Sequence, residues 1–394
     1  MTLHWNGLCD IIEKEVMTME KYHVLCGIDR RDALARAVKG KKVALLTAAS
    51  GVDKQAVPTW RILRDMGVLS VLFAPEHGIC SNLQDGRYQD ERDIPDPVFG
   101  VCVYNLNSKG HPRLDEILSS VDAVVYDIQD VGARYYTYLC NLTQVMRAAV
   151  RVHIPVIVLD RPNPIGGKRI EGEILDEQFS SFIGEFAIPT RYGMTVGEYA
   201  RYVNAEKGIG CELHVIECKG WERHMYADRT DMLFVNPSPN IPSVGCAINY
   251  IATGIFEATN ISEGRGTTRP FDMIGAPFVD AFALAEHMNA LCLDGVIFRA
   301  AHFTPAFNKH AGAVCGGVEL HITDREAYSP FATLLYLYDA LRKYPEFEAN
   351  PAGLRLRFGN DTLAGDFDPA TVLAASREKC ERFGEEIKPY LLYE

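Results

Sequence analysis

Carboxylates recur in this chain where apolar runs stop. Ser70–Ala74 runs into Pro75-Glu76-His77-Gly78, Ala123–Tyr126 into Asp127-Ile128-Gln129-Asp130, and Pro155–Leu159 into Asp160-Arg161-Pro162-Asn163-Pro164. Short apolar runs separated by helical stretches read as buried strands of a parallel sheet. Parallel strands point the same way, so their carboxyl ends share one edge. Ligands of open α/β sheets bind along that edge. Acidic groups gathered there suit acid/base chemistry on a polar substrate.

Glu76 follows a proline and precedes His77-Gly78, which gives it a stiff local backbone. Partial burial at such a place raises a carboxyl pKa, as a general acid requires. The plainer reading is a turn whose glutamate caps a helix or pairs with an arginine. His77 reads as structural or as a hydrogen-bond donor. Alternation puts Asp127 and Gln129 on one side, and with Asp130 and Arg134 they make a set suited to hydroxyl groups and a carboxylate. An internal Asp–Arg pair closing the turn is the alternative. Tyr135, Tyr136 and Tyr138 offer either a sugar-stacking wall or core. Asp160 opens a Pro- and Gly-rich run that is mainly architectural and leaves a cis proline open; Asp160 itself could orient a ligand hydroxyl. Asn236-Pro237-Ser238-Pro239-Asn240 and Glu257–Pro270 are two further polar blocks. In the second, Gly264 and Gly266 flank Arg265, so backbone N–H groups and a guanidinium can converge on a phosphate or a carboxylate.

The elements must bring these residues together. The pattern predicts a helix over Arg30–Val38, a strand over Val43–Thr47, a helix over Gln55–Met66 and the strand Ser70–Ala74. A long polar loop follows over Cys80–Asp96. Then come a helix over His111–Ser119, the strand Ala123–Tyr126, an amphipathic helix over Thr137–Val152 and the strand Pro155–Leu159. This alternation is that of a Rossmann-like, doubly wound, mainly parallel sheet. The Gly- and Pro-rich stretch 161–193 leads into a smaller α+β unit. Its expected helices are Thr195–Ala205, Ile248–Ala258, Pro277–Leu293, Phe331–Lys343 and Ala370–Ile387. Its expected strands are Glu212–Glu217, Val296–Phe303 and Val314–Thr323. Thr195 reads as a helix cap with Glu198 at the capping-box position. Residues 1–190 are thus expected as the sheet domain and 191–394 as the smaller α+β domain.

Composition narrows the class of protein. The chain has 394 residues and a formal net charge of -12, which argues against a general nucleic-acid binder. Its 11 cysteines include no CxxC pair, so mostly buried, reduced thiols and a cytoplasmic protein are expected. The N-terminus lacks the pattern of a signal peptide, and no apolar run approaches the roughly 18 residues of a membrane span. The partner expected is a small molecule, not a nucleic acid or a membrane. No GxGxxG follows the first strand, and GxxxxGK[ST], HExxH and GxSxG do not occur, so no cofactor and no metal is expected. A metal-dependent hydrolase using His77, Asp127 and Asp160 is an alternative without ligand spacing to support it.

Ala74-Pro75-Glu76-His77-Gly78, Tyr126–Arg134, Asp160–Gly167, Asn236–Asn240 and Ser262–Pro270 resemble, in order, the signature blocks of one family. It is the exo-acting β-N-acetylmuramidases of the NamZ type, formerly a domain of unknown function. The resemblance runs from about Gly27 to the final Tyr390-Leu391-Leu392-Tyr393. It departs at Thr47-Ala48, where the family commonly has Thr-Asn, and at Gly78-Ile79-Cys80-Ser81, where it has Gly-x-x-Gly. It implies a Rossmann-like domain joined to a smaller α+β domain, with the active site between them. It also implies release of terminal N-acetylmuramic acid from the non-reducing end of peptidoglycan fragments, with the essential glutamate at Glu76. That sugar carries hydroxyls, an acetamido group and a lactyl carboxylate. Asp127, Gln129, Asp130, Asn240 and Asn260 suit the polar groups, and Arg134, Arg265 or Arg269 the carboxylate. Glu263 or Asp127 would act as base or nucleophile, or the acetamido oxygen would attack instead. A non-catalytic muropeptide-binding protein is the alternative from another class.

Overall fold

The computed structural model describes residues 21–84, 91 and 93–394. Cys9, the rest of the first 20 residues and the middle of the expected Cys80–Asp96 loop lie outside the described residues. Six strands form one sheet: β1 (Val43–Thr47), β2 (Leu69–Ala74), β3 (Cys102–Asn105), β4 (Ala123–Asp127), β5 (Val156–Leu159) and β6 (Leu213–Ile216). Their order is β3-β2-β1-β4-β5-β6, and each neighbouring pair is parallel. Strand order therefore reverses between β1 and β4, as in doubly wound sheets. Both of these strands are buried at every residue. Such burial follows when helices cover both faces of a parallel sheet. The helix Tyr138–Val152 supplies much of that cover. It ends at His153, whose left-handed conformation (φ 57°) stops it. Helix Val196–Glu206 opens on the expected capping box, with Thr195 accepting from the Glu198 N–H and the Glu198 carboxylate accepting from the Thr195 N–H.

A second, antiparallel sheet contains β7 (Met273–Ala276), β8 (Val296–Phe303) and β9 (Cys315–Ile322), with β9 in the middle. The helices Ala281–Ala290, Pro330–Leu341 and Pro369–Ile387 belong to this half. Strands β3 and β7 and the helix Pro351–Phe358 depart from the sequence expectation, and β6, expected in the second unit, instead pairs with β5 in the first sheet. Strands β3 and β7 have only four residues each, too few to display a period. The helix carries end signals, Asn350 as cap, Pro351 at the first position and Gly359 in the left-handed region (φ 105°). Gly353, Arg355 and Arg357 deny it an apolar stripe, so periodicity misses it. Among the described residues no peptide bond is cis, and no helix is long and apolar enough to cross a membrane.

The carboxyl edge of the sheet is pinned by a buried ion pair. Asp127 ends β4, and Arg161 follows β5 by two residues. Arg161 Nε and Nη2 donate to the two Asp127 carboxylate oxygens at 2.6 and 2.9 Å, and Nη2 also reaches the Val52 carbonyl at 2.8 Å. The Thr59 hydroxyl donates to the same carboxylate. Gly51 lies against this edge so closely that a Cβ would sit 2.7 Å from the Asp127 carbonyl oxygen. The crevice between β1 and β4, the usual ligand position in such sheets, is filled by these groups. Removing one charge of a buried pair leaves the other uncompensated and costs about 3–5 kcal/mol. Asp127→Asn should lower the unfolding free energy in urea by that amount. A loss below about 1 kcal/mol, the size of an ordinary substitution, would show that the pair does not anchor this edge.

Candidate active site

Strand β2 ends at Ala74, and the chain turns at once. His77 (φ 75°) and Gly78 (φ 77°) both adopt the left-handed region. A histidine there is uncommon and must be held by its surroundings. His77 Nδ1 lies 2.7 Å from the Leu83 carbonyl, and the Gly78 N–H donates to the Pro75 carbonyl at 3.0 Å. The turn is also tied to the second half of the chain. The Tyr138 hydroxyl reaches the Pro237 carbonyl at 2.8 Å and the Glu76 carbonyl at 3.3 Å. Glu76 is thus half-buried at a strand end, with the Thr137 hydroxyl donating to its Oε2 at 3.3 Å.

Its side chain lines a cavity of about 260 Å³ between the sheet edge and the second half of the chain. One wall is aromatic: Tyr135, Tyr136, Tyr250 and Phe271. Tyr250 meets Tyr135 and Phe271 edge-on, with ring centroids 5.1 and 4.6 Å apart. Gly254 permits this packing, because a Cβ there would lie 2.8 Å from the Tyr135 ring. Tyr135 then donates to the Tyr250 and Ile251 carbonyls at 2.8 and 3.0 Å. Burial pushes the Tyr135, Tyr136 and Tyr250 phenols up, so all three stay protonated near neutral pH. The Tyr136 hydroxyl is buried beside Ser238 and Tyr138 but meets no described residue with hydrogen-bond geometry.

The facing wall is charged. It holds Glu257, Glu263, Arg265, Lys309 and Arg357. Glu257 comes from the tight turn Gly254–Ala258. Glu263 and Arg265 come from the glycine-flanked loop, and Lys309 from the connection between β8 and β9. Gly266 (φ 81°) makes their approach possible: its carbonyl accepts from the Ala306 N–H, and a Cβ would lie 2.6 Å from the Phe307 carbonyl. Glu263 is 2% exposed and sits between Arg265 Nε at 3.1 Å and Lys309 Nζ at 2.9 Å. Glu257 accepts from Arg265 on one oxygen and from Arg357 Nε and Nη2, at 3.1 and 3.0 Å, on the other. Burial pushes the Glu257 carboxyl up, but the two guanidiniums outweigh it and hold it below the usual range.

Of the residues singled out in the sequence, Glu76, His77, Tyr135, Tyr136, Glu263 and Arg265 meet at this cavity. The others lie elsewhere. Asp127 is in the pair with Arg161. Gln129 donates to the Asp130 and Pro162 carbonyls at 2.9 Å. Asp130 accepts from the Tyr192 hydroxyl and the Gly132 N–H. Asp160 accepts from the hydroxyls of Tyr393 and Thr195 and from the Gly197 N–H. Asn240 donates to Gln84 at 3.1 Å, and Asn260 bridges the Glu346 carbonyl and the Glu348 N–H. Arg269 reaches out to Glu319 at 2.9 Å. Arg134 is buried and donates to the Arg357 and Phe358 carbonyls, the end of the helix that carries Arg357; burial pushes its guanidinium down to about 10. Among the described residues no three His, Cys, Asp or Glu side chains converge as metal ligands would. Glu257 and Ser238 stood inside blocks already singled out. Lys309 and Arg357 carried no local signal, because only long-range packing brings them here.

The molecule is therefore a two-sheet α/β protein with a polar, carboxylate-bearing cavity between its halves. Residues 43–245 match the profile described as exo-β-N-acetylmuramidase NamZ, N-terminal, and residues 248–393 match the C-terminal one. The chain belongs to that family. It is 41% identical to the peptidoglycan β-N-acetylmuramidase NamZ of Bacillus subtilis, over 95% of this chain and 93% of that protein. Two crystal structures of DUF1343 family proteins from Bacteroides fragilis share the fold. One superposes with a TM-score of 0.87 at 32% identity, covering 95% of this chain and 100% of that one. The other gives 0.78 at 29% identity, covering 94% and 99%.

Burial pushes the Asp130 carboxyl up to about 6, against the pull of Tyr192 and two backbone N–H groups. An unfolded aspartate titrates near about 3.9. Between those values the unfolded chain has released a proton that the folded chain keeps. This group's contribution to stability therefore falls as pH rises from about 4 to about 6. Relative to Asp130→Asn, the wild type should lose urea resistance across that window and change no further above about pH 7. A difference that does not vary with pH would contradict the shift.

Proposed function

We propose that this protein is a glycosidase that removes terminal N-acetylmuramic acid from the non-reducing end of peptidoglycan fragments, with Glu76 as the general acid. The reading rests on one observation above all. Glu76 stands at a strand end on the wall of a cavity that also presents an aromatic wall and a charged one. An aromatic face suits a sugar ring, and paired polar groups suit its substituents. The volume of about 260 Å³ lies just under the roughly 300–1,000 Å³ of drug-sized ligand sites. That scale fits one sugar unit and agrees with removal of terminal residues one at a time. The names of the Bacillus subtilis relative and of the family point to the same activity.

For the second chemical group we favour the substrate's own acetamido oxygen. Asp127 is enclosed in its pair with Arg161, and both Glu263 oxygens are engaged by cations. In this scheme the acetamido oxygen bonds to the anomeric carbon as the bond to the bridging oxygen breaks. The Glu76 proton goes to that leaving oxygen. Water then attacks the anomeric carbon, gives its proton to Glu76, and the ring formed by the acetamido group opens. Such participation is a recognised exception to the two-carboxylate scheme, and it retains anomeric configuration. The proposal includes action in the cytoplasm on small fragments released during wall turnover. Ten described cysteines are unpaired, and seven of those are buried, which suits a reducing compartment.

Glu76→Gln keeps the shape of the side chain and removes the proton. Turnover of a chromogenic N-acetylmuramic acid glycoside should fall by about 10²–10⁴-fold, with the thermal midpoint unchanged. Near-normal turnover would end the assignment. The first product seen by NMR should have the β configuration, and α product would exclude acetamido participation.

A further inference from the structure

We infer that Tyr250 holds the acetamido group of the bound sugar, its hydroxyl donating to the acetamido carbonyl oxygen. The inference deepens the muramidase reading above and rests on it for the identity of the sugar.

The starting observation is a phenol that the fold does not use. Tyr250 belongs to the helix Val244–Thr253, lines the cavity and is 6% exposed. Its carbonyl accepts from the Tyr135 hydroxyl, but its own hydroxyl makes no hydrogen bond with any described residue. The neighbouring tyrosines are engaged. Tyr135 donates to two carbonyls of this helix, Tyr138 to the Pro237 carbonyl at 2.8 Å, and Tyr328 to Asn249 Oδ1 at 3.1 Å. Tyr136 has Ser238 and Tyr138 beside it. A hydroxyl taken out of water without a partner costs stability. Phenylalanine would fill the same space without that cost, so a use for the Tyr250 hydroxyl lies outside the fold.

The group is also well prepared to bind. Tyr135, Tyr136 and Phe271 meet its ring edge-on, with centroids 5.1, 6.3 and 4.6 Å away. A Cβ on Gly254 would lie 2.9 Å from the same ring, so the helix end closes onto it. Little freedom is left to lose on binding. Burial first, and then the charge of Glu257, push the phenol up, so at neutral pH it has a proton to give.

The surroundings choose the acceptor. Around Tyr250 the wall is aromatic, and Ile183 and Ile241 also line the cavity. A charge is costly against such a wall, which disfavours the lactyl carboxylate there. Ring hydroxyls are neutral but have no apolar part. The acetamido group is neutral and joins a carbonyl to a methyl, so it matches a phenol set among apolar edges. It is also the substituent next to the anomeric carbon. Glu76 and Tyr250 line one cavity of about 260 Å³, so a single sugar unit meets both.

Such a contact serves the proposed chemistry. A carbonyl oxygen has two lone pairs. One taken by Tyr250 leaves the other for the anomeric carbon, and the hydrogen bond stops the acetamido group from rotating. Holding reacting atoms in place is the main source of rate in an intramolecular attack.

Tyr250→Phe removes the hydroxyl and keeps the ring. The substrates are chromogenic glycosides of N-acetylmuramic acid and of its N-thioacetyl analogue, whose sulfur accepts hydrogen bonds weakly. For the acetyl substrate kcat/KM should fall by about 5–10-fold, the worth of one neutral hydrogen bond. For the thioacetyl substrate it should fall by less than about twofold. The ratio of the two does not depend on how much enzyme is folded, so a structural defect alone leaves it unchanged. Calorimetric binding of the two free sugars should show the same change in ratio without any chemistry. Equal losses on both substrates, or no loss on either, overturn the inference and leave the muramidase reading standing. A variant that fails to fold overturns it as well, because the hydroxyl then serves the fold. A wild type that cleaves neither glycoside, with the binding ratio still altered by Tyr250→Phe, ends the muramidase reading and keeps the acetamido contact. Absence of both binding and turnover in the wild type ends both.

Discussion

Everything at this site depends on one electrostatic constraint: charges removed from water must find partners. Each buried ion carries an effective penalty of several kcal/mol, which only close and well-directed opposite charges offset. Glu257, Glu263, Arg265, Lys309 and Arg357 meet that demand among themselves. They come from a tight turn, a glycine-flanked loop, a strand connection and a helix end. Four separate pieces of chain are thereby held in register by one network. The cavity is preorganised for that reason, since none of these side chains can move without stranding another. Arg134, which does not line the cavity, belongs to the same system because it holds the carbonyl end of the Arg357 helix.

The first half of the chain obeys the same constraint with a different outcome. Its strand-end carboxylates Asp127 and Asp160 are both enclosed. Asp127 is neutralised by Arg161, and Asp160 accepts four hydrogen bonds, from Thr195, Tyr393 and the Arg161 and Gly197 N–H groups. With Gly51 pressed onto β4, the crevice between β1 and β4 is occupied by the protein itself. The cavity lies to the side, over the ends of β2 and β4, where Glu76 and the Tyr135–Thr137 stretch stand. A doubly wound sheet is here a scaffold for one acidic turn, and the second half of the chain supplies most of the cavity.

The sheet was largely legible. Apolar runs of four to six residues marked β1, β2, β4 and β5, and β1 and β8 run over the residues expected of them. The Thr195–Glu198 capping box was legible because its chemistry is local. The Pro-Glu-His-Gly turn was legible for the same reason: proline and glycine fix the backbone whatever lies around it. What sequence could not separate was a strand-end carboxylate that faces a cavity from one that faces an arginine. Asp127 and Glu76 look alike in sequence, and the difference is Arg161, which stands beside Asp160 in the chain yet bonds Asp127 in space. Lys309 and Arg357 were illegible for a related reason. Their partners Glu263 and Glu257 lie 46 and 100 residues away, and no local pattern records such a distance.

The network also bears on the chemistry. A carboxylate engaged by two cations is a weak base and a reluctant nucleophile, because attack must first disengage those cations. Glu257 is held below the usual carboxylate range by its guanidiniums once burial is outweighed, and Glu263 has almost no exposed surface. The ion-pair network thus engages the carboxylates that would otherwise attack a sugar. On the proposed reading the two facts are linked. A site that commits its carboxylates to ion pairs leaves nucleophilic attack to the substrate, and N-acetylmuramic acid brings a suitable oxygen next to its own anomeric carbon. A sugar with the lactyl group but without the acetamido group would then bind and fail to react, which separates recognition from chemistry within a single ligand.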